Sequence, residues 1–337
     1  MVALFHVRAN GHIAELELVK NAHLFVDFFF VLSGFVIAAT YEERLAGGFS
    51  IWRFMLLRFG RLYPLHLAML LAFVAFDLAR GQSQAQDMFS ALLPRLLLLH
   101  GLGMFETRLW NIPSWTISSE FLTYLVFAIV VATLKGRSVR VFVGVVLLFP
   151  AVLYFKASED ATGYEMVRCL YGFCAGVLTW HLFRRFPGAI PAGTLAELGA
   201  TAAILLFVSA LGRTPWSIAS PAVFAAVVLI FASQRGIVAR MLASKPFLFL
   251  GTVSYSIYMV HYFVGARLGD ALRLGKASGL RAVDFIGTEK WAGDALTMVY
   301  LALVVLISSL TYRFIEAPAR KWFRGEADRL PHLAGIR

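Results

Sequence analysis

Arg58 and Arg61 stand three residues apart in Arg58-Phe59-Gly60-Arg61-Leu62-Tyr63-Pro64. On a helix that spacing puts both guanidiniums on one face. Each offers a planar fork of donors that suits phosphate. The plain alternative is a topology-setting basic cluster with no ligand. His6 lies in the apolar run Met1–Val7. It could serve as a general base near neutral pH, or be a tolerated polar residue and no more. Glu120 sits about a turn and a half into an apolar helix whose expected N-cap is Ser114. Asp27 lies inside the apolar run Leu24–Ala39. A carboxylate in either place needs a partner, an arginine or a histidine. Ser254, Tyr258 and His261 fall at i, i+4 and i+7. They form one polar stripe, which implies either a wet cavity or a helix contact. Phosphate-binding loops, dinucleotide fingerprints, zinc-protease motifs and nucleophile elbows are absent from the sequence.

The elements that must position these residues are membrane helices. Of the 337 residues 59% are hydrophobic and 15% charged, and the mean hydropathy is +0.74. Soluble domains run near 45–50% apolar and about 25% charged. No polar block is long enough for a soluble domain, so the fold class is all-α: one polytopic helical membrane domain over 1–317. A short basic tail, 318–337, is expected to lack a fold of its own. Apolar runs at 24–40, 61–79, 115–134, 139–155, 165–184, 195–211, 217–234, 247–267 and 295–315 predict spans. Met1–Val7 predicts the end of a further, incomplete helix, giving about ten in all. The stretch 89–104, interrupted by Pro94, Arg95 and His100, is expected to re-enter without crossing.

With that stretch uncrossed, the denser set of lysines and arginines falls on one side, which the charge rule makes cytoplasmic. Arg58, Arg61 and the C-terminal tail belong to that side. The net charge of +11 is explained in this way, not by nucleic-acid binding. Cys169 and Cys174 lie five residues apart in one apolar segment, about 140° apart around a helix. That spacing suggests neither a disulfide nor a metal site.

Several stretches together resemble the membrane acyltransferase 3 family, which includes bacterial polysaccharide and lipopolysaccharide O-acetyltransferases. They are Phe5-His6, Asp27–Phe35, Arg58–Pro64, Asn111–Glu120, Val253–His261 and Glu316-Ala317-Pro318, and they span nearly the whole chain in family order. The resemblance implies a multi-pass enzyme of the bacterial inner membrane. Its donor substrate would be acyl-CoA, most simply acetyl-CoA, taken from the cytoplasmic side, with no permanently bound cofactor and no metal. Its acceptor would be a carbohydrate hydroxyl on or beyond the other face. His6 would be the catalytic base, and Arg58 and Arg61 would hold CoA. Glu120 or Asp27 would orient or balance the histidine or an arginine. Ser33, Trp115, Ser118, Ser254, Tyr255, Tyr258 and His261 would line or support the cavity. The family's basic residue about ten positions before the histidine has no counterpart, because five residues precede His6. The expectation is therefore a start that lies upstream, or machinery that is incomplete. A transporter or an inactive membrane partner of a separate transferase are the competing readings.

Overall fold

The computed structural model describes residues 1–7, 9–81, 85–103, 110–158, 164–279, 286 and 288–330. Among the described residues all regular structure is helical. The helices used below are α1 (Val2–Phe5), α2 (Phe25–Ala46), α3 (Ile51–Ala79), α4 (Ala85–Leu96), α5 (Trp115–Leu134), α6 (Ser138–Ser158), α7 (Tyr164–Arg185), α8 (Thr194–Leu211), α9 (Ser220–Phe231), α10 (Lys245–Thr252), α11 (Ser254–Ala277), α12 (Lys290–Thr311) and α13 (Ala317–Arg329).

Among the described residues six helical stretches are long and apolar enough to cross a membrane, or seven if α10 and α11 count as one span bent by 67°. That is fewer than the sequence predicts, for local reasons. The runs at 115–134 and 139–155 belong to one helical stretch, Ile112–Phe155, interrupted at Lys135, where φ is 49°. The run at 217–234 yields the shorter apolar stretch Pro215–Phe231, a 3-10 turn leading into the 12 residues of α9. The run at 89–104 gives the 12-residue α4, which stops before Leu98 at φ 54°. By length α4 cannot cross. The turn after it tucks against the start of α5: Ser118 Oγ takes the Gly101 N–H at 2.9 Å, and Ser119 Oγ donates to the Gly101 carbonyl.

Two further differences bear on the site. The second span starts at Ile51, not at 61, with Ser50 capping the Arg53 N–H. Arg58 and Arg61 therefore sit two to three turns inside a helix, not at its mouth. The basic tail is helical over Ala317–Arg329 and docks on α3. Phe323 lies so close to Gly60 that a Cβ there would meet it at 2.3 Å, and Arg53 pairs with Asp328. Residues 331–337 lie outside the described residues, as do the charged residues Arg8, Arg108, Glu159, Asp160 and Arg281.

The closest helix contact is α2 against α7. A Cβ at Gly34 would lie 2.0 Å from the Phe173 carbonyl oxygen, and one at Gly176 would lie 1.9 Å from that of Val31. Gly172 and Gly176 are four apart, the small-residue spacing that lets membrane helices approach closely. Gly34→Ala or Gly176→Ala should force these backbones apart at about 1–3 kcal/mol. Faster thermal inactivation of the detergent-solubilised protein measures it.

The N-terminal segment is strapped to α12. His12 Nδ1 and the Ile13 N–H both bond Asp294, and Lys290 bonds Glu15 at 2.6 Å. That hydrogen bond holds the Glu15 carboxyl below the usual carboxylate range. Tyr300 of α12 donates toward the carbonyls of Ala3 and His261. Four-residue α1 could not persist alone; these ties fix it, and with it His6.

Candidate active site

The chemistry-bearing residues divide between two cavities on either side of one turn of α11. The first holds about 250 Å³, and Ser33, Arg58, Arg61, Glu120, Tyr255 and Tyr258 are among its walls, with Ser254 beside them. α2, α3, α5 and α11 each contribute. Arg58 donates to the Tyr41 hydroxyl at 3.2 Å and stacks over the Tyr41 ring. Its Nε makes no hydrogen bond within the described residues. Arg61 pairs with the fully buried Glu316, whose other oxygen accepts from Ser256 Oγ at 2.7 Å. Arg61 also faces the Tyr255 ring, while the Tyr255 hydroxyl donates to the Leu62 carbonyl.

Glu120 lies in this cavity and not beside His6. One of its oxygens accepts from Ser33 Oγ at 2.7 Å and from the Tyr124 hydroxyl at 2.5 Å. The expected arginine or histidine partner is replaced by two hydroxyls. The cavity thus brings together two guanidiniums, one carboxylate and several hydroxyls, on walls that include the apolar Val26, Phe29, Phe30 and Ile117.

The second cavity, about 370 Å³, is lined by His6, Tyr262, Arg273 and Tyr300. It lies between the later half of α11 and the start of α12. His6 Nδ1 lies 3.1 Å from the Val2 carbonyl and 3.2 Å from His261 Nε2. His261 is fully buried, and its Nδ1 lies 2.6 Å from the Tyr258 carbonyl. The expected stripe therefore splits. Ser254 and Tyr258 face the arginine cavity, while His261, a turn on, meets the first helix. The Tyr258 hydroxyl is anchored by the Pro113 carbonyl at 2.8 Å and by Thr116 Oγ1 at 2.9 Å.

The remaining expected site residues lie off these two cavities, Asp27 on a third of about 240 Å³ with Arg168 and Ser220. Asp27 is buried outside both cavities, against Arg168 at 2.6 and 3.1 Å, and accepts from Ser220 Oγ at 2.5 Å. Ser118 is fully buried and bonds the 98–101 turn rather than lining a cavity. Trp115 packs edge-on against Phe30. Ser114 precedes α5 but caps nothing with its side chain; its Oγ lies 3.1 Å from His100 Nε2. Cys169 and Cys174 are free and buried.

Sequence reading missed Arg168, Glu316, Tyr124 and Tyr41. Tyr124 was findable, at i+4 from Glu120 on the same face. Glu316 stands in one of the quoted motifs but with no role attached. Arg168 and Tyr41 carry no local signal, since their partners lie 141 and 17 residues away.

A family model described as an acyltransferase domain matches residues 1–313. The curated relatives include an acyltransferase, MdmB, from Streptomyces mycarofaciens, 27% identical over 95% of this chain and 83% of its own length. They also include a peptidoglycan O-acetyltransferase, OatA, from Listeria monocytogenes, 23% identical over 92% of this chain. The alignment takes in 54% of OatA, so the chain spans about half of that relative. No solved structure matches.

Proposed function

The chain belongs to the acyltransferase-domain family matched over residues 1–313, and we propose that it moves an acetyl group from cytoplasmic acetyl-CoA to a carbohydrate hydroxyl at the opposite face of the inner membrane. It is an acyltransferase with several apolar helices of membrane length; donor, sidedness and acceptor are the proposal. The observation that carries it is the pairing of an arginine-bearing cavity with a histidine-bearing one, separated by the Tyr258–His261 turn. Such a layout fits two substrates arriving from opposite ends.

Arg44, Arg53 and Arg184 gather where α2 ends, α3 begins and α7 ends. The charge rule favours the cytoplasm for that end and for α13. Arg61 also borders an open recess there, together with Arg320. CoA phosphates in the recess would meet Arg61 and Arg320, and the pantetheine arm would run into the arginine cavity past Arg58. Charge-assisted bonds from guanidinium to phosphate suit those residues. The name of the peptidoglycan relative favours acetyl as the group and a carbohydrate as the acceptor.

In the reaction His6 takes the proton of the acceptor hydroxyl. The oxygen attacks the thioester carbonyl, the carbon–sulfur bond breaks, and the proton passes to the CoA thiolate. Ser33, Glu120 and the tyrosines shape the donor end. Membranes carrying the protein are incubated with radiolabelled acetyl-CoA, and label is sought on carbohydrate. Arg58→Ala with Arg61→Ala should raise the KM for acetyl-CoA at least about tenfold, because each charged hydrogen bond contributes about 1.5–3 kcal/mol. An unchanged KM removes the arginines from donor binding, and no label on any acceptor removes the transfer itself.

A further inference from the structure

The hydrogen-bond chain from Tyr258 through His261 to His6 has a polarity that chemistry dictates. The Tyr258 carbonyl oxygen can only accept, so His261 Nδ1, 2.6 Å away, must carry a hydrogen. In a neutral imidazole the other nitrogen is then an acceptor. That nitrogen, Nε2, faces His6 Nδ1 at 3.2 Å, so His6 Nδ1 must be the donor. The Val2 carbonyl, 3.1 Å from the same His6 Nδ1, makes an independent and identical demand. Both partners leave Nε2 of His6 as the nitrogen that takes up a proton.

We infer that His261 is a positioning residue that holds His6 in the Nδ1–H form, so that Nε2 serves as the base. This rests on the assignment of His6 as base. His261 is suited to the part. It is fully buried and its ring is held at Nδ1 by α11's own backbone. The Tyr300 hydroxyl bonds the backbone carbonyls of both Ala3 and His261, which locks α1 to α11. When Nε2 takes the acceptor proton, His6 becomes an imidazolium. Its Nδ1–H then donates a charge-assisted, stronger bond to His261 Nε2. A neutral imidazole thus does what a carboxylate does for the histidine of a serine-hydrolase triad: it fixes the tautomer and supports the charge that forms. Glu120, the carboxylate the sequence suggested for this task, is engaged elsewhere with Ser33 and Tyr124.

The test compares His261→Gln with His261→Asn. Glutamine is long enough to donate to the Tyr258 carbonyl and accept from His6. Asparagine keeps the polarity at Tyr258 but falls short of His6. H261N should lose about 10²-fold in kcat for acetyl transfer, the low end of what a general base contributes. H261Q should stay within about tenfold of the parent, since it restores the acceptor. KM for acetyl-CoA should be unchanged in both. In an His6→Ala background, adding H261N should slow transfer no further, because His261 acts through His6. The inference is overturned if H261N keeps the parental kcat, if H261Q is as slow as H261N, or if the double variant is slower than His6→Ala alone. It is also overturned if both variants lose acetyl-CoA binding, which would make His261 a packing residue only. A fully active His6→Ala would instead bring down the assignment of the base itself, so the two failures are distinguishable.

Discussion

His6→Ala should leave a folded protein that still binds acetyl-CoA but transfers its acetyl group about 10²–10⁴-fold more slowly, the range general-base catalysis supplies. The effect belongs in kcat. His6 lines the cavity away from the arginines, so its loss removes no donor contact. A mutation that lowers kcat and kcat/KM together has removed an interaction made in the transition state. His6 is only half-buried, and its ring contacts include Phe5, His261 and Tyr262. Truncation there should cost little stability. The measurement is label transfer from radiolabelled acetyl-CoA at matched membrane expression. Full activity in the alanine variant would take His6 out of the chemistry.

The second large effect concerns stability. Asp27→Asn strips the charge from a buried pair and leaves the Arg168 guanidinium without its counterion. Breaking such a pair from one side costs about 3–5 kcal/mol, a large part of the roughly 5–15 kcal/mol that holds a typical domain together. The expected result is a sharp fall in folded protein recovered in detergent and faster heat inactivation. The specific activity of the surviving fraction should be close to that of the parent, because Asp27 lines neither cavity. Arg168→Lys should do less harm than Asp27→Asn, keeping the charge while losing the second prong of a two-pronged contact. A stable Asp27→Asn with lowered activity would return Asp27 to the catalytic machinery.

Much of the arginine cavity was legible in the sequence. Arg58, Arg61, Ser33, Glu120, Ser254, Tyr255 and Tyr258, all singled out in the sequence, line one cavity; helical spacing accounts for those that share a helix, such as Arg58 with Arg61. Partners across helices were not legible. Periodicity says that Asp27 and Glu120 need company, but only packing says that one finds Arg168 and the other Ser33 and Tyr124. The division into two cavities was hidden for a related reason. Tyr258 and His261 lie on one stripe, yet α1 reaches only the far end of it. The count of about ten spans stands against six or seven stretches of membrane length among the described residues, because hydropathy is blind to backbone geometry: the bend at Val253, the turn before α9 and the joining of two runs across Lys135. The docked α13 was missed because a basic, amphipathic segment reads as solvated until Phe323 is seen against Gly60.

Glu316 gives donor binding a particular economy. Its carboxylate occupies Arg61 before any substrate arrives, and Arg320 lies 3.7 Å from the same oxygen. A phosphate that engages Arg61 as proposed therefore trades places with a resident anion or shares its fork. Its affinity is the difference between two charged contacts, smaller than either. When the thioester has been spent, the tethered carboxylate is at hand to reclaim the guanidinium, at a high effective concentration. On the proposed donor role, free CoA would then leave quickly and the next donor would find the recess empty.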